Sequence, residues 1–180
     1  MKEILNWTLD TLRSDNAMMS WLEERRYEWT PLVSDAISHI MNGAAIILIT
    51  DGERKWLSQY ILTTINNPGH NRPLFPIFEM DRIVPGLDQM VLNQDMDIAN
   101  DMLSMAFKDN YIFWYVGKSS HPNATVAKEY RSSFLWMMDE EVQNSFFLRS
   151  ADELLDLKLL HMVRLFDKTL DAVMIGELEV

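Results

Sequence analysis

Hydrophobic and polar positions change period several times along the chain, and each change marks an element. Over the first 42 residues Leu22, Trp29, Val33, Ala36, Ile37 and Ile40 fall near helical spacing, which predicts an N-terminal helical region that Asn42-Gly43 stops. Within it, Thr30 as a cap with Pro31 in the next position predicts a kink or a restart. Ala44-Ala45-Ile46-Ile47-Leu48-Ile49 follows as an unbroken apolar run, the pattern of a strand covered on both faces. Thr50 and Glu53 have capping-box spacing ahead of Leu57, Ile61 and Ile65 on one helical face, and Asn66-Asn67-Pro68-Gly69 ends that helix.

The strand-then-helix unit repeats in kind. Leu74 to Glu79 reads as a strand that Pro76 confines to a sheet edge, Asp95 to Phe107 as a helix, and Tyr111 to Val116 as another buried strand. Met80 to Asn93, which contains Pro85-Gly86, reads as a loop with at most one helical turn. Ser133 to Met138 is a fourth strand and Phe146 to Leu148 a short fifth, each reached through a polar connection containing Pro122 or Glu140-Glu141. Ser150 and Glu153 form a second capping-box pattern before Leu155, Leu159, Met162, Phe166, Leu170 and Val173, whose 4, 3, 4, 4, 3 spacing draws one stripe along a long terminal helix. Leu154, Leu157, Leu160, Val163 and Leu165 widen the stripe, which predicts a subunit interface as the helix's second contact. Strands alternating with helices imply a three-layer α/β/α fold, a five-stranded parallel sheet with long N- and C-terminal helices, in one domain over residues 1–180.

Composition narrows the function. With 27 acidic against 16 basic side chains the formal charge is −11, which opposes contact with a phosphate backbone. No cysteine is present, so disulfides, thiolate metal sites and cysteine nucleophiles are excluded. Apolar runs fall far short of the roughly 20 residues of a membrane span. Glu3, Asn6, Thr8 and Asp10 interrupt the stretch where an export signal would lie, so a cytoplasmic location is expected.

In a doubly wound sheet ligands gather at the carboxyl ends of the strands, here the loop Thr50 to Arg54. That loop has one glycine and places Asp51 and Glu53 where a phosphate would sit, so a helix cap is the simpler reading. Gly117-Lys118-Ser119 mimics the end of a phosphate-binding loop, but the required first glycine falls on Ile112. Lys118 is expected either beside the Thr50 loop or in solvent. Among His39, His70, His121 and His161 no two have metal-ligand spacing on one helix, so no metal site follows. Asp95, Asp97 and Asp101 lack a calcium loop's glycine at Asn100 and read as a helix start, and Asp139, Glu140 and Glu141 as a solvated turn. No catalytic residue and no cofactor site is assigned. Six tryptophans are the informative excess: Trp29, Trp114 and Trp136 belong to predicted core positions. Trp21 with Arg25, and Trp56 with Tyr60, form i,i+4 pairs away from the main stripes. With Tyr27 they are the candidate partner contacts, since Trp, Tyr and Arg dominate interface hot spots.

Trp21-Leu22-Glu23, Ile37-Ser38-His39, Asn42-Gly43, Trp56, Tyr60-Ile61-Leu62, Arg72-Pro73-Leu74, Phe113-Trp114, Val116-Gly117-Lys118, Ser133-Phe134-Leu135-Trp136 and Leu154-Leu155-Asp156 together form a pattern. From about Trp21 to Met174 it resembles the HobA family of DnaA-binding proteins. The resemblance, with the functional relative DiaA, implies a sugar-isomerase-type (SIS), flavodoxin-like fold assembled as a homotetramer. It also implies an adaptor: each subunit holds the N-terminal domain of the replication initiator DnaA, and the tetramer gathers several initiators at the origin. No cofactor, membrane or direct nucleic-acid contact is implied. Sugar-phosphate-binding relatives of the fold carry a serine-rich loop after the first strand, where this chain has Thr50-Asp51-Gly52-Glu53-Arg54. That departure counts against the alternative, a sugar-phosphate isomerase or sensor using the crevice near Thr50 and Lys118. The resemblance assigns no residue to the DnaA contact, so Trp21, Arg25, Tyr27, Trp56 and Tyr60 rest on the hot-spot argument alone.

Overall fold

The central strands are buried along almost their whole length, so both faces of one sheet are apolar, and helices cover each face. The structure, a computed structural model, describes residues 2–15, 19–84, 86, 93–130 and 132–179. In chain order the elements are β1 (Lys2–Glu3), α1 (Ile4–Asp15), α2 (Ser20–Met41), β2 (Ala45–Thr50), a 3-10 turn (Gly52–Arg54), α3 (Lys55–Ile65), β3 (Ile77–Glu79), α4 (Met80–Ile83), α5 (Asn93–Phe107), β4 (Tyr111–Lys118), α6 (Pro122–Glu129), β5 (Ser133–Met138), β6 (Ser145–Leu148), α7 (Leu155–Met174) and β7 (Leu178–Glu179). The five-stranded sheet has the order β3-β2-β4-β5-β6, every pair parallel. β1 and β7 pair separately, tying the two ends of the chain together.

Ile46, Leu48, Trp114, Val116, Phe134 and Trp136 face a core closed by α1, α2, α3 and α7. Ile47, Ile49, Phe113, Tyr115, Leu135 and Met137 face a second core under α4, α5 and α6. The predicted three-layer α/β/α architecture is therefore what forms. From β2 the chain steps to β3 at the edge, then returns past β2 to β4. This reversal opens a switch point between the carboxyl ends of β2 and β4.

α2 is a single helix that continues through Pro31 without a restart, and Thr30 lies within it and caps nothing. Proline forfeits a ladder hydrogen bond at a cost of about 3 kcal/mol. Burial of Leu22, Val33, Ile37 and Ile40, each contributing roughly 1.5–3 kcal/mol, together with Trp29 and Ala36, outweighs it. The stop at Asn42-Gly43 is as expected: Gly43, at φ 84°, donates to the Ile40 carbonyl (2.9 Å) while Ala44 donates to His39 (3.0 Å), the paired bonds of a Schellman turn.

Other expectations change. β3 begins at Ile77, after Pro76, which has no N–H for the ladder; its carbonyl still accepts from Ile46 (2.8 Å), and the strand is at the edge as expected. Met80–Ile83 forms the single turn allowed for the Met80 to Asn93 loop, of which residues 85 and 87–92 lie outside the described residues. The connection containing Pro122 is the helix α6, started by His121, whose ring nitrogen accepts from the Asn123 amide, with Pro122 in the first turn. β5 reaches β6 through residues 139–144 without a helix, and Asp139 (φ 69°) and Asn144 (φ 56°) make the reversal in the left-handed region. The Ser150–Glu153 capping box does not form. Ser150 is drawn instead to Asp139, whose carboxylate accepts from its amide (2.8 Å) and hydroxyl (2.6 Å); Asp152 accepts from the Leu154 amide (2.9 Å) just ahead of α7, whose N-cap position, Leu154, has no side-chain cap bond. Of the residues that widen the α7 stripe, Val163 and Leu165 are buried within the subunit, Leu157 and Leu160 are half-buried, and Leu154 is exposed.

The Ser150 hydroxyl, then its amide, hold the Asp139 carboxyl below its ordinary value. A carboxyl lowered in the folded state stabilises at neutral pH and loses that contribution as pH falls through the folded value. Asp139→Asn, which keeps a residue tolerant of positive φ, is expected to cost about 0.5–1 kcal/mol at pH 7 given the group's exposure. The gap from the parent should close below about pH 4, as read by urea denaturation across pH.

Candidate functional site

At the switch point the strand ends close on each other through ion pairs. Asp51, the last residue before the 3-10 turn, accepts from the Arg54 amide at Oδ1 (3.0 Å), and from Arg54 Nη1 (2.9 Å) and the Lys118 amide (2.8 Å) at Oδ2. Both Asp51 and Arg54 are buried. The turn is thus capped by Asp51 and not by Thr50, whose hydroxyl lies near Ser58 Oγ (3.5 Å), because only Asp51 meets amides arriving from both strands. Glu53 takes Lys118 Nζ (2.7 Å) and Arg54 Nη1 (2.7 Å), and these two cations, Lys118 first, hold its carboxyl below the usual range. Lys118 therefore lies beside the Thr50 loop, one of the two placements expected.

Gly117 follows from this arrangement. A Cβ there would meet Tyr115 Oη at 2.7 Å and Asp51 Oδ2 at 2.8 Å, so the buried carboxylate and a side chain at 117 exclude each other. Gly117→Ala is expected to cost about 1–3 kcal/mol by overpacking, measured as a lowered thermal midpoint. The remaining crevice, about 420 Å³ between Asp51, Glu53, Lys118, Ser120 and His121, offers one lysine, already matched by Glu53 (2.7 Å), while the buried Arg54 is held by Asp51. An incoming phosphate would have to displace Asp51 or Glu53 against like charge.

A larger groove, about 670 Å³, runs along the open edge of the sheet at β6, between α2 and the start of α7. Two of the five candidate contacts meet in it. The Arg25 guanidinium lies 4.1 Å from the Phe146 ring centroid and donates to the outward-facing Phe147 carbonyl (2.8 Å) and to Glu28. Trp21 meets Phe146 edge-on (6.3 Å), and Lys158, held by Asp152, stands 5.1 Å from the Trp21 ring. The other three lie elsewhere. Tyr27 is exposed on α2 under the Arg26 guanidinium (4.2 Å). Trp56 is exposed on α3, whereas Tyr60 packs inward and accepts from Arg164 of α7 (2.8 Å). Sequence reasoning missed an exposed apolar stripe on the outer side of α5, Ile98, Met102 and Met105, with Phe78 of β3 against Phe107 at its end (5.2 Å). Its i, i+4, i+7 spacing was visible, but Ala99 and Leu103 of the buried face share the same helix.

The HobA family, described as a DNA replication regulator, matches residues 1–180 of the chain. The DNA replication regulator protein HobA of Helicobacter pylori is 28% identical over 180 residues, covering 97% of each chain. Among solved structures, a crystal structure of a HobA–DnaA (domain I–II) complex from Helicobacter pylori matches with a TM-score of 0.76 and 28% identity over 100% of both chains. A crystal structure of HobA from the same organism matches with a TM-score of 0.75 and 26% identity, covering 100% of this chain and 99% of that one.

Proposed function

This chain belongs to the HobA family of DNA replication regulators, and on that premise we propose that it is a non-enzymatic cytoplasmic adaptor for the initiator DnaA. It binds the N-terminal domain of DnaA and, as a homotetramer, promotes assembly of the initiator at the chromosomal origin. The observation that carries the proposal is the full-length match, in sequence and in fold, to HobA as it occurs in a HobA–DnaA complex. An adaptor needs no reaction: tethering several initiators raises their effective concentration for ordered assembly, with no DNA contact by the scaffold. Its charge of −11 suits that division of labour. Pairing of Arg54 and Lys118 with Asp51 and Glu53 supports an inert strand-end crevice. Hexose phosphates are accordingly expected to leave the thermal midpoint unmoved, where a true ligand at about 100 times its dissociation constant would add roughly 2.7 kcal/mol.

For the contact itself, the groove at β6 is the favoured surface among the five candidates, because there an aromatic ring, a guanidinium and a strand edge converge. Tyr27, Trp56 and Tyr60 are second choices. Co-purification with tagged DnaA N-terminal domain tests the proposal: a stable complex containing several DnaA domains per assembly by light scattering supports it, and recovery of DnaA alone refutes it. Trp21→Ala and Arg25→Ala are each expected to weaken the complex about tenfold or more. Equal affinity in both, with unchanged melting, would move the contact to another surface.

A further inference from the structure

An open sheet ends in two strands whose outer main-chain groups have no ladder partner, and such edges template pairing with other chains. At the β3 edge the Ile77 amide turns back onto the Phe75 carbonyl (2.9 Å), Pro76 has no N–H to offer, and the strand gives way to α4 at Met80. The other edge is β6. Its Leu148 carbonyl accepts from Asp139, on the side of β5 (3.1 Å). Main-chain groups alternate in direction along a strand. Phe146 therefore points with Leu148 into the ladder, while Ser145 and Phe147 turn their N–H and C=O groups outward. No proline interrupts β6, and the groove of about 670 Å³ lies along it.

One outward group is already taken. Arg25 Nη1 donates to the Phe147 carbonyl (2.8 Å). The guanidinium is set there from two sides. Glu28, one turn along α2, accepts from Nε (3.2 Å) and Nη2 (2.5 Å), and the Phe146 ring centroid lies 4.1 Å away. A planar fork satisfies carboxylate, ring and carbonyl together, which a lysine ammonium does not. Leu22 and Trp29, both fully buried, pin α2 to the core on either side of Arg25 in sequence. A further strand at about 4.8 Å from β6 would have to enter the place of this guanidinium and take the carbonyl from it. The neighbour best matched to the edge is the same edge in a second copy. In an antiparallel pair across a two-fold axis, Phe147 stands opposite its own equivalent and the two exchange both N–H···O bonds. Each copy then needs the carbonyl that its own Arg25 holds.

We propose that Arg25 is an edge guard: by holding the Phe147 carbonyl it stops β6 from pairing with β6 of a second copy. The role does not depend on DnaA, and it concerns contacts beyond those of the native assembly. Light scattering of the full-length chain over a concentration series tests it. Arg25→Met keeps an apolar stem and removes the donor; it is expected to raise self-association beyond the parent assembly about tenfold or more, with slowed amide exchange at Phe147. A misfolded variant would also associate, so second changes at position 147 separate the causes. Adding Phe147→Pro deletes the outward N–H and no bond to β5, a change that edge strands accept, and should return the mass to that of the parent. Adding Phe147→Ala, which keeps the N–H, should not. The guard is overturned if Arg25→Met stays at the parent mass at every concentration, if association persists unchanged with Phe147→Pro, or if alanine relieves it as fully as proline.

Discussion

Asp51→Ala is expected to destabilise the protein by about 3–5 kcal/mol, because it strands a buried guanidinium. Arg54 is 5% exposed, and its remaining carboxylate partner, Glu53, has a largely solvated side chain. The same substitution removes the cap of the 3-10 turn and the acceptor of the Lys118 amide, so three donors lose one carboxylate together. Glu53 recovers part of the charge pairing, which places the expected value near the lower end of the range. Removing both partners, as in Asp51→Ala with Arg54→Met, should be less harmful than the single change, since no uncompensated charge stays buried. Urea denaturation of the three variants gives the comparison. A single variant as stable as the parent would mean that the strand-end ion pairs are solvated and open to a ligand.

Trp114→Ala should cost about 3–5 kcal/mol, the penalty for a fully buried large side chain. Trp114 occupies the central strand β4, and its ring lies 4.9 Å from Phe166, 5.1 Å from Trp136 and 5.3 Å from Phe134. These contacts join the sheet to α7, so the cavity would open where the terminal helix is anchored. Trp114→Phe is expected to be much milder than its volume suggests, because the indole N–H is buried without a partner and phenylalanine removes that penalty. Chemical denaturation with near-ultraviolet dichroism checks both. Equal losses for alanine and phenylalanine would show that the indole N–H is satisfied.

The same physics explains how far the chain could be read beforehand. β2, β4 and β5 were legible because a strand buried on both faces is a continuous apolar run, and nothing else of that length in this chain competes. Pro76 marked the sheet edge because a missing N–H is intolerable inside a ladder. Capping was less legible. Thr50 and Ser150 have the right spacing, yet Asp51 caps the 3-10 turn and Ser150 turns to Asp139, since the partners that decide the matter, the Lys118 amide and the Asp139 carboxylate, come from other elements of the fold. α6 was missed because Pro122 reads equally as a turn or as a first helical turn, and only burial of Ala124, Val126 and Ala127 distinguishes them.

Candidate contacts were legible only in part. Spacing of i and i+4 places Trp21 beside Arg25 and Trp56 beside Tyr60, but it cannot say which side of the helix another element covers; Arg164 holds Tyr60 from α7. Histidine spacing likewise compares residues on one helix, so His70 could not be placed beside Asp167 and Asp171 before the fold brought them together.

A calorimetric titration of the folded parent protein with the isolated N-terminal domain of DnaA decides whether this chain is an initiator adaptor. Saturable heat at micromolar concentrations, with one DnaA domain taken up per chain, is the expected outcome. A flat titration with both partners folded would contradict it.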